Sequence, residues 1–191
     1  MLKFKSGRLT DLQYQPYYQA RGIEDQPKKQ QTIVGKMLLA KLLELPIEQV
    51  LENDGIDFGK HGKPYFKDQN IYFNISHSNN LVLVAISDQP LGIDLEKIKP
   101  LSLDRLSNAF TVGELAYLNK FKEPRKSEQI LRLWTIKEAV LKDLGIGLSG
   151  KPKSIAVTVP RMDVAERDGQ QFKIDFLGVD PQYIGTMASK I

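Results

Sequence analysis

Between residues 28 and 45 the side chains Ile33, Met37, Leu38, Lys41 and Leu42 recur at three- and four-residue intervals, and Pro46 follows. The spacing predicts an amphipathic helix that ends there. Residues 53–64 then carry Gly55, Gly59, Gly62 and Pro64, a density of breakers that reads as a loop arriving at a short strand, Tyr65-Phe66. Residues 71–75 and Leu81–Ser87 are β-branched, apolar runs predicted to be neighbouring strands. Between them Ser76-His77-Ser78-Asn79-Asn80 reads as a polar connection, its hydroxyls and imidazole presented at the sheet rim. Residues 91–96 (LGIDLE) alternate, with Ile93 and Leu95 on one face of a strand and Asp94 and Glu96 on the other.

At residues 97–102 (KIKPLS) strand-rich sequence gives way to helical sequence, and a crossing between halves of the chain is expected. Thr111 and Glu114 have capping-box spacing, with Leu115 and Leu118 following at helical intervals. Arg125–Leu144 is the longest helix candidate: Ile130, Leu133, Trp134, Leu141 and Leu144, with Ala139 nearby, form its apolar stripe, and Gly145 and Gly147 stop it. Residues 155–159, 172–177 and 183–188 read as three strands, with Asp168-Gly169 as a hairpin turn among them. The elements together predict an α+β protein.

With 41% apolar and 26% charged residues the chain has the makings of a core, which excludes disorder as its overall state. It has no cysteine, so disulfides and thiolate zinc sites are excluded. Neither a signal-like start nor a bilayer-length apolar run stands in the sequence, so a cytoplasmic location is expected. A net charge of +4 attracts anions without choosing among nucleic acid, a polyphosphate cofactor and an acidic protein.

Asp94 and Glu96, at i and i+2 of a strand, can reach one hard cation, although the same pattern also makes a solvated face. Glu138, in WTIKEAVLK, is the candidate third ligand; with Lys142 it also has the spacing of a surface ion pair. Ser76 and His77 could bind an anion at a strand end, and no GxSxG elbow accompanies them. Gly62-Lys63-Pro64 adds a cation upstream.

In order, GKPYF, FNISHS, GIDLE, FTVGE and WTIKEAVLKDLGIGLS resemble the 4′-phosphopantetheinyl transferases of the surfactin-synthetase-activating type, clearly over residues 28–149. The resemblance implies two pseudo-symmetric α+β halves, residues 1–89 and 90–191, with a coenzyme A cleft between them. It implies Mg²⁺ held by Asp94, Glu96 and Glu138, and Glu114 as the base for a carrier serine. Lys142 would contact the phosphates and neutralise the leaving group, while Lys63, Ser76 and His77 would grip the cofactor's phosphates. Where many relatives have an arginine for the 3′-phosphate, this chain has Gln31, and Lys28 is the candidate to compensate. The implied reaction moves phosphopantetheine from coenzyme A to a serine of an apo acyl or peptidyl carrier protein and releases 3′,5′-ADP. The implied protein is a monomer that binds neither membrane nor nucleic acid. Two rivals remain: a non-catalytic relative that binds coenzyme A or a carrier, and a basic nucleic-acid-binding module built on Tyr14, Tyr17 and Tyr18 beside Arg21.

Overall fold

A computed structural model describes residues 2–53, 55–59, 61–67 and 71–191. Asp54 and Lys60, within the predicted 53–64 loop, lie outside the described residues. The chain divides into two compact units, Met1–Gln89 and Pro90–Ile191. Each sets helices against an antiparallel sheet, so the mixed α and β composition expected from the sequence is present.

The first unit runs β1 (Lys3–Arg8), α1 (Gln15–Gln19), α2 (Pro27–Leu43), α3 (Ile47–Leu51), β2 (Ile56–Phe58), β3 (Pro64–Phe66), β4 (Tyr72–Ser78) and β5 (Leu81–Ser87). Its three-stranded sheet has the order β1-β5-β4, and central β5 is buried from Leu81 to Ile86, as a continuous apolar run requires. The predicted long helix exists, with Pro27 in its first turn and a left-handed Glu44 (φ 58°) ending it. It is less one-sided than expected. Val34, Met37, Leu38, Leu39, Ala40 and Leu42 are all buried, because α2 is packed by β1 and β5 on one side and α3 on another.

Two expectations change here. The 53–64 stretch is more than a loop, since Ile56–Phe58 pairs with β3 in register Ile56↔Phe66. Ser76, His77 and Ser78 belong to β4, with His77 opposite Val82, and the connection to β5 shrinks to Asn79-Asn80 with Asn79 at φ 52°. In FNISHS the polar residues Asn74, Ser76 and Ser78 share one face of the strand and are all buried, and a scan for apolar runs truncates such a strand. Strand β1, with its first four residues exposed, has no apolar signal at all.

The second unit runs β6 (Gly92–Lys97), α4 (Val112–Leu118), α5 (Arg125–Leu144), β7 (Ala156–Val157), β8 (Val164–Arg167), β9 (Gln170–Leu177) and β10 (Tyr183–Lys190). The sheet order is β6-β10-β9-β8-β7. Residues 97–102 are interior to this unit rather than a crossing: the Ile98 N–H donates to the Gln182 carbonyl (2.8 Å) and the Leu101 N–H to Ser127 Oγ (2.9 Å). Asp168 (φ 52°) and Gly169 (φ 79°) make the hairpin turn, and the strand feeding it, β8, is one the apolar pattern passed over. The predicted 155–159 strand keeps only Ala156–Val157, because Thr158 turns to bond Val164 and Asp163. Helix α5 has the predicted limits and ends at left-handed Gly145 (φ 66°). Among the described residues no helix is long and apolar enough to cross a membrane.

One contact sets how α5 meets the sheet. A Cβ built at Gly92 would fall into the carbonyl oxygen of Ala139 and the amide nitrogen of Asp143, and would stand 2.9 Å from the carbonyl carbon of Lys142. These are backbone atoms, which cannot swing aside as a side-chain tip can. Gly92→Ala is therefore expected to destabilise the protein by about 3 kcal/mol, read as a lowered urea midpoint with unchanged slope.

Candidate active site

Because β6 alternates, the face that meets α5 at Gly92 also presents Asp94 and Glu96. On α5, Glu138 and Lys142 are one turn apart, and the backbone of Ala139 and Lys142 meets Gly92. Asp94 is 5% exposed, and its Oδ1 accepts a 2.7 Å bond from Lys142 Nζ. Glu138 is partly exposed, yet its Oε1 is buried and has no hydrogen-bond partner among the described residues. Burial foremost, then the carboxylate of Asp94 and, more weakly, that of Glu96, push the Glu138 carboxyl up to about 7 against the opposing pull of Lys142.

Strand and helix thus bring Asp94, Glu96, Glu138 and Lys142 into one electrostatic neighbourhood. The carboxylates are hard oxygen donors, one with an orphaned oxygen, and like charges crowd there; a divalent cation suits both features. They do not form a closed ligand shell: among the described residues no three His, Cys, Asp or Glu side chains are grouped tightly enough to hold an ion. The residues fit Mg²⁺ by donor type and charge, with the ammonium of Lys142 lying beside Asp94.

Glu114, expected from the resemblance as the base, is enclosed by the fold. It caps α4 as its sequence spacing predicts, with Oε2 accepting from the Thr111 N–H (2.8 Å) while Thr111 Oγ1 accepts from the Glu114 N–H (3.3 Å). Its Oε1 accepts from the Val157 N–H (2.9 Å), and Lys137 Nζ stands 2.9 Å from Oε2. Glu114 is 1% exposed and Lys137 0%. A proton acceptor has to meet its substrate; this carboxylate is committed to α4, β7 and α5. Lys137 also donates to the carbonyls of Pro152 (3.3 Å) and Ile155. The sequence offered one signal of this pairing, a lysine directly before Glu138 and set among the apolar Ile136, Ala139 and Val140.

In the first unit the candidates separate. His77 is exposed and lines a cavity of about 370 Å³ with Gln31, Thr32, Lys36, Phe58 and Pro64 among others. Ser76 is 4% exposed, and the period of a strand turns it to the opposite face, so the two neighbours cannot both offer side chains to that cavity. Lys63 precedes β3 and Lys28 stands exposed in the first turn of α2; neither lines the cavity. Gln31, 9% exposed, donates from Nε2 to the Asn79 carbonyl (2.8 Å). Sequence reasoning missed Lys36, whose Nζ donates to the Leu51 carbonyl (2.7 Å) and whose pKa is lowered by burial and, secondarily, by Arg21. Its position one helical turn beyond Thr32 was the available clue. Tyr14 and Tyr18 are each 1% exposed, and burial raises both to about 12. Rings packed inside cannot stack on bases, and of the three tyrosines this leaves half-buried Tyr17, with the Arg21 guanidinium 5.9 Å from its ring centroid.

Residues 90–186, just over half of the chain and including Asp94, Glu96, Glu114, Glu138 and Lys142, match the model of the 4′-phosphopantetheinyl transferase superfamily. The chain belongs to that superfamily. A 4′-phosphopantetheinyl transferase of Bacillus subtilis is 34% identical over 121 residues, 62% of this chain and 53% of that protein. The 4′-phosphopantetheinyl transferase Sfp of Bacillus subtilis strain 168 is 32% identical over 142 residues, 73% of this chain and 60% of its own length. The 4′-phosphopantetheinyl transferase AcpT of Escherichia coli K12 is 32% identical over 123 residues, 62% of this chain and 60% of its own. The chain thus spans between half and three fifths of the length of these relatives, and its similarity to the Bacillus proteins is that of the surfactin-synthetase-activating type.

Breaking the interior pair by Glu114→Gln is expected to destabilise the superfamily unit by about 3–5 kcal/mol, since it strands the charge of Lys137; urea unfolding measures it. Glu138 gives the opposite sign. A carboxyl raised from its ordinary value of 4.5 to about 7 on folding contributes fully to stability below 4.5, and that contribution is lost as pH rises through 7. Metal-free Glu138→Gln should therefore match the parent near pH 4.5 and exceed it at pH 8 by on the order of 1 kcal/mol after screening of a partly exposed group, or about 2–4 °C in Tm.

Proposed function

We propose that this protein is a cytoplasmic, monomeric, Mg²⁺-dependent enzyme that transfers the 4′-phosphopantetheine of coenzyme A to a serine hydroxyl of an apo acyl or peptidyl carrier protein. The observation that supports it most is that the superfamily match and the Asp94, Glu96, Glu138 and Lys142 neighbourhood fall in the same unit. The pseudo-symmetric pairing of halves, residues 1–89 and 90–191, is part of the proposal. It is supported by each unit having one long helix, α2 or α5, packed on an antiparallel sheet.

In this reading the serine oxygen bonds to the phosphorus that bears pantetheine, its proton passes to solvent water, the bridging P–O bond breaks, and 3′,5′-ADP departs. Asp94, Glu96 and Glu138 would hold the magnesium ion, which when bound supplies charge neutralisation at the pyrophosphate. Lys142, already held by Asp94, would offset charge growing on the leaving oxygen. Of the first-unit residues, His77, which lines the cavity, is best supported as a contact to the cofactor; Lys63, Lys28 and Ser76, the further phosphate contacts of this reading, lie outside that lining. Glu114 is not retained as the proton acceptor, for the burial and bonding described above.

The test is the intact mass of apo carrier proteins incubated with this protein, coenzyme A and Mg²⁺, beside an EDTA control. A gain of one phosphopantetheine, lost with EDTA and with Glu138→Ala that retains its circular dichroism, is the expected result. Full activity in Glu138→Ala would remove the ligand assignment. Coenzyme A binding without any transfer would favour the non-catalytic relative.

A further inference from the structure

Thr135 of α5 and Thr186 of β10 are both 0% exposed, and their hydroxyl oxygens lie 2.7 Å apart. Thr135 spends its own hydrogen on the Arg132 carbonyl (3.0 Å), so the bridging hydrogen comes from Thr186. Packing alone does not require hydroxyls there, because valine has the same shape.

The two threonines stand at telling positions. Thr135 precedes Glu138 by three residues and Lys142 by seven, on one helical face. Thr186 is the direct cross-strand partner of Asp94, and Ile184 that of Glu96. The bridge therefore ties the turn before Glu138 to the strand residue beside Asp94.

We infer that the Thr135–Thr186 bridge is a positioning device for the carboxylate site, fixing the rotation and translation of α5 against Asp94 and Glu96. The inference rests on reading Asp94, Glu96 and Glu138 as magnesium ligands. Apolar contact resists separation of helix and sheet but is indifferent to direction. The Gly92 approach sets closeness without fixing rotation. A hydrogen bond is directional, and a ligand constellation has to be held within about 0.5 Å and 10–20° to work.

Valine substitutions separate positioning from mere stability. Thr135→Val leaves the Thr186 hydroxyl without its bridge and should lower Tm by about 5 °C. Thr135→Val/Thr186→Val removes both hydroxyls and should return Tm near the parent. In EDTA, the coupling between Asp94→Asn and Lys142→Met, taken from a double-mutant cycle, is measured in the parent and in the double-valine background. Mg²⁺ affinity is measured by calorimetry in the same proteins.

The double-valine protein is expected to lose at least half of that coupling and to bind Mg²⁺ about tenfold more weakly, while Thr135→Ser restores both. Unchanged coupling and affinity overturn the inference. If the parent itself binds no Mg²⁺, the ligand reading falls and the coupling alone decides the bridge. If the double-valine protein does not fold, both measurements are made on Thr186→Val, which removes only the bridging bond: loss of coupling and affinity supports the bridge, and unchanged values overturn it.

Discussion

The backbone of α5 lies on β6 at Gly92 with no space for even a methyl group, and the charged site depends on that approach. A helix held one side chain further away would leave Lys142 short of Asp94 and Glu138 relieved of its neighbours. Closeness creates the electrostatic strain: like charges are crowded in a partly dry setting, and one cation on the same helix answers them incompletely. Such a site costs stability without a cation and becomes favourable with one, which is how binding energy is stored in a fold.

Lys137 and Glu138 are adjacent in the motif and meet opposite fates. A helix turns its neighbouring residues about 100° apart, so Lys137 enters the interior while Glu138 faces β6. Inside, Lys137 finds Glu114 and two carbonyls, and its pKa is lowered by burial in spite of the attraction of Glu114. This charge is satisfied and holds α4, the approach to β7 and α5 together. Glu138 is left with a buried oxygen that nothing described satisfies. Matched charge builds the scaffold; mismatched charge marks where a ligand belongs.

What could be read from sequence was what is local. The limits of α5 and the Thr111–Glu114 box rest on spacings within a few residues, and both stand in the structure. Alternation in LGIDLE placed Asp94 and Glu96 on one face for the same reason. Strands β1, β2 and β8 escaped because edge and hairpin strands keep polar side chains, so their pairing partners make them, not their composition. Ser76 and His77 were grouped by adjacency in the chain, whereas the strand sends them to opposite faces. Glu114 carries the same letters whether it caps a helix or meets a substrate, and only burial distinguishes the two.

Gln31 follows the same logic. Its amide donates to the carbonyl of Asn79, a residue in the left-handed region at the turn between β4 and β5. An arginine at a position 9% exposed would have to bury a charge or swing out and release that turn. The neutral amide therefore does a structural task in this chain, stabilising the turn that follows His77. In the proposed reading, contact with an anion at this face would fall to the exposed imidazole of His77 instead. The amide at position 31 thus braces the turn that follows the strand carrying the exposed histidine.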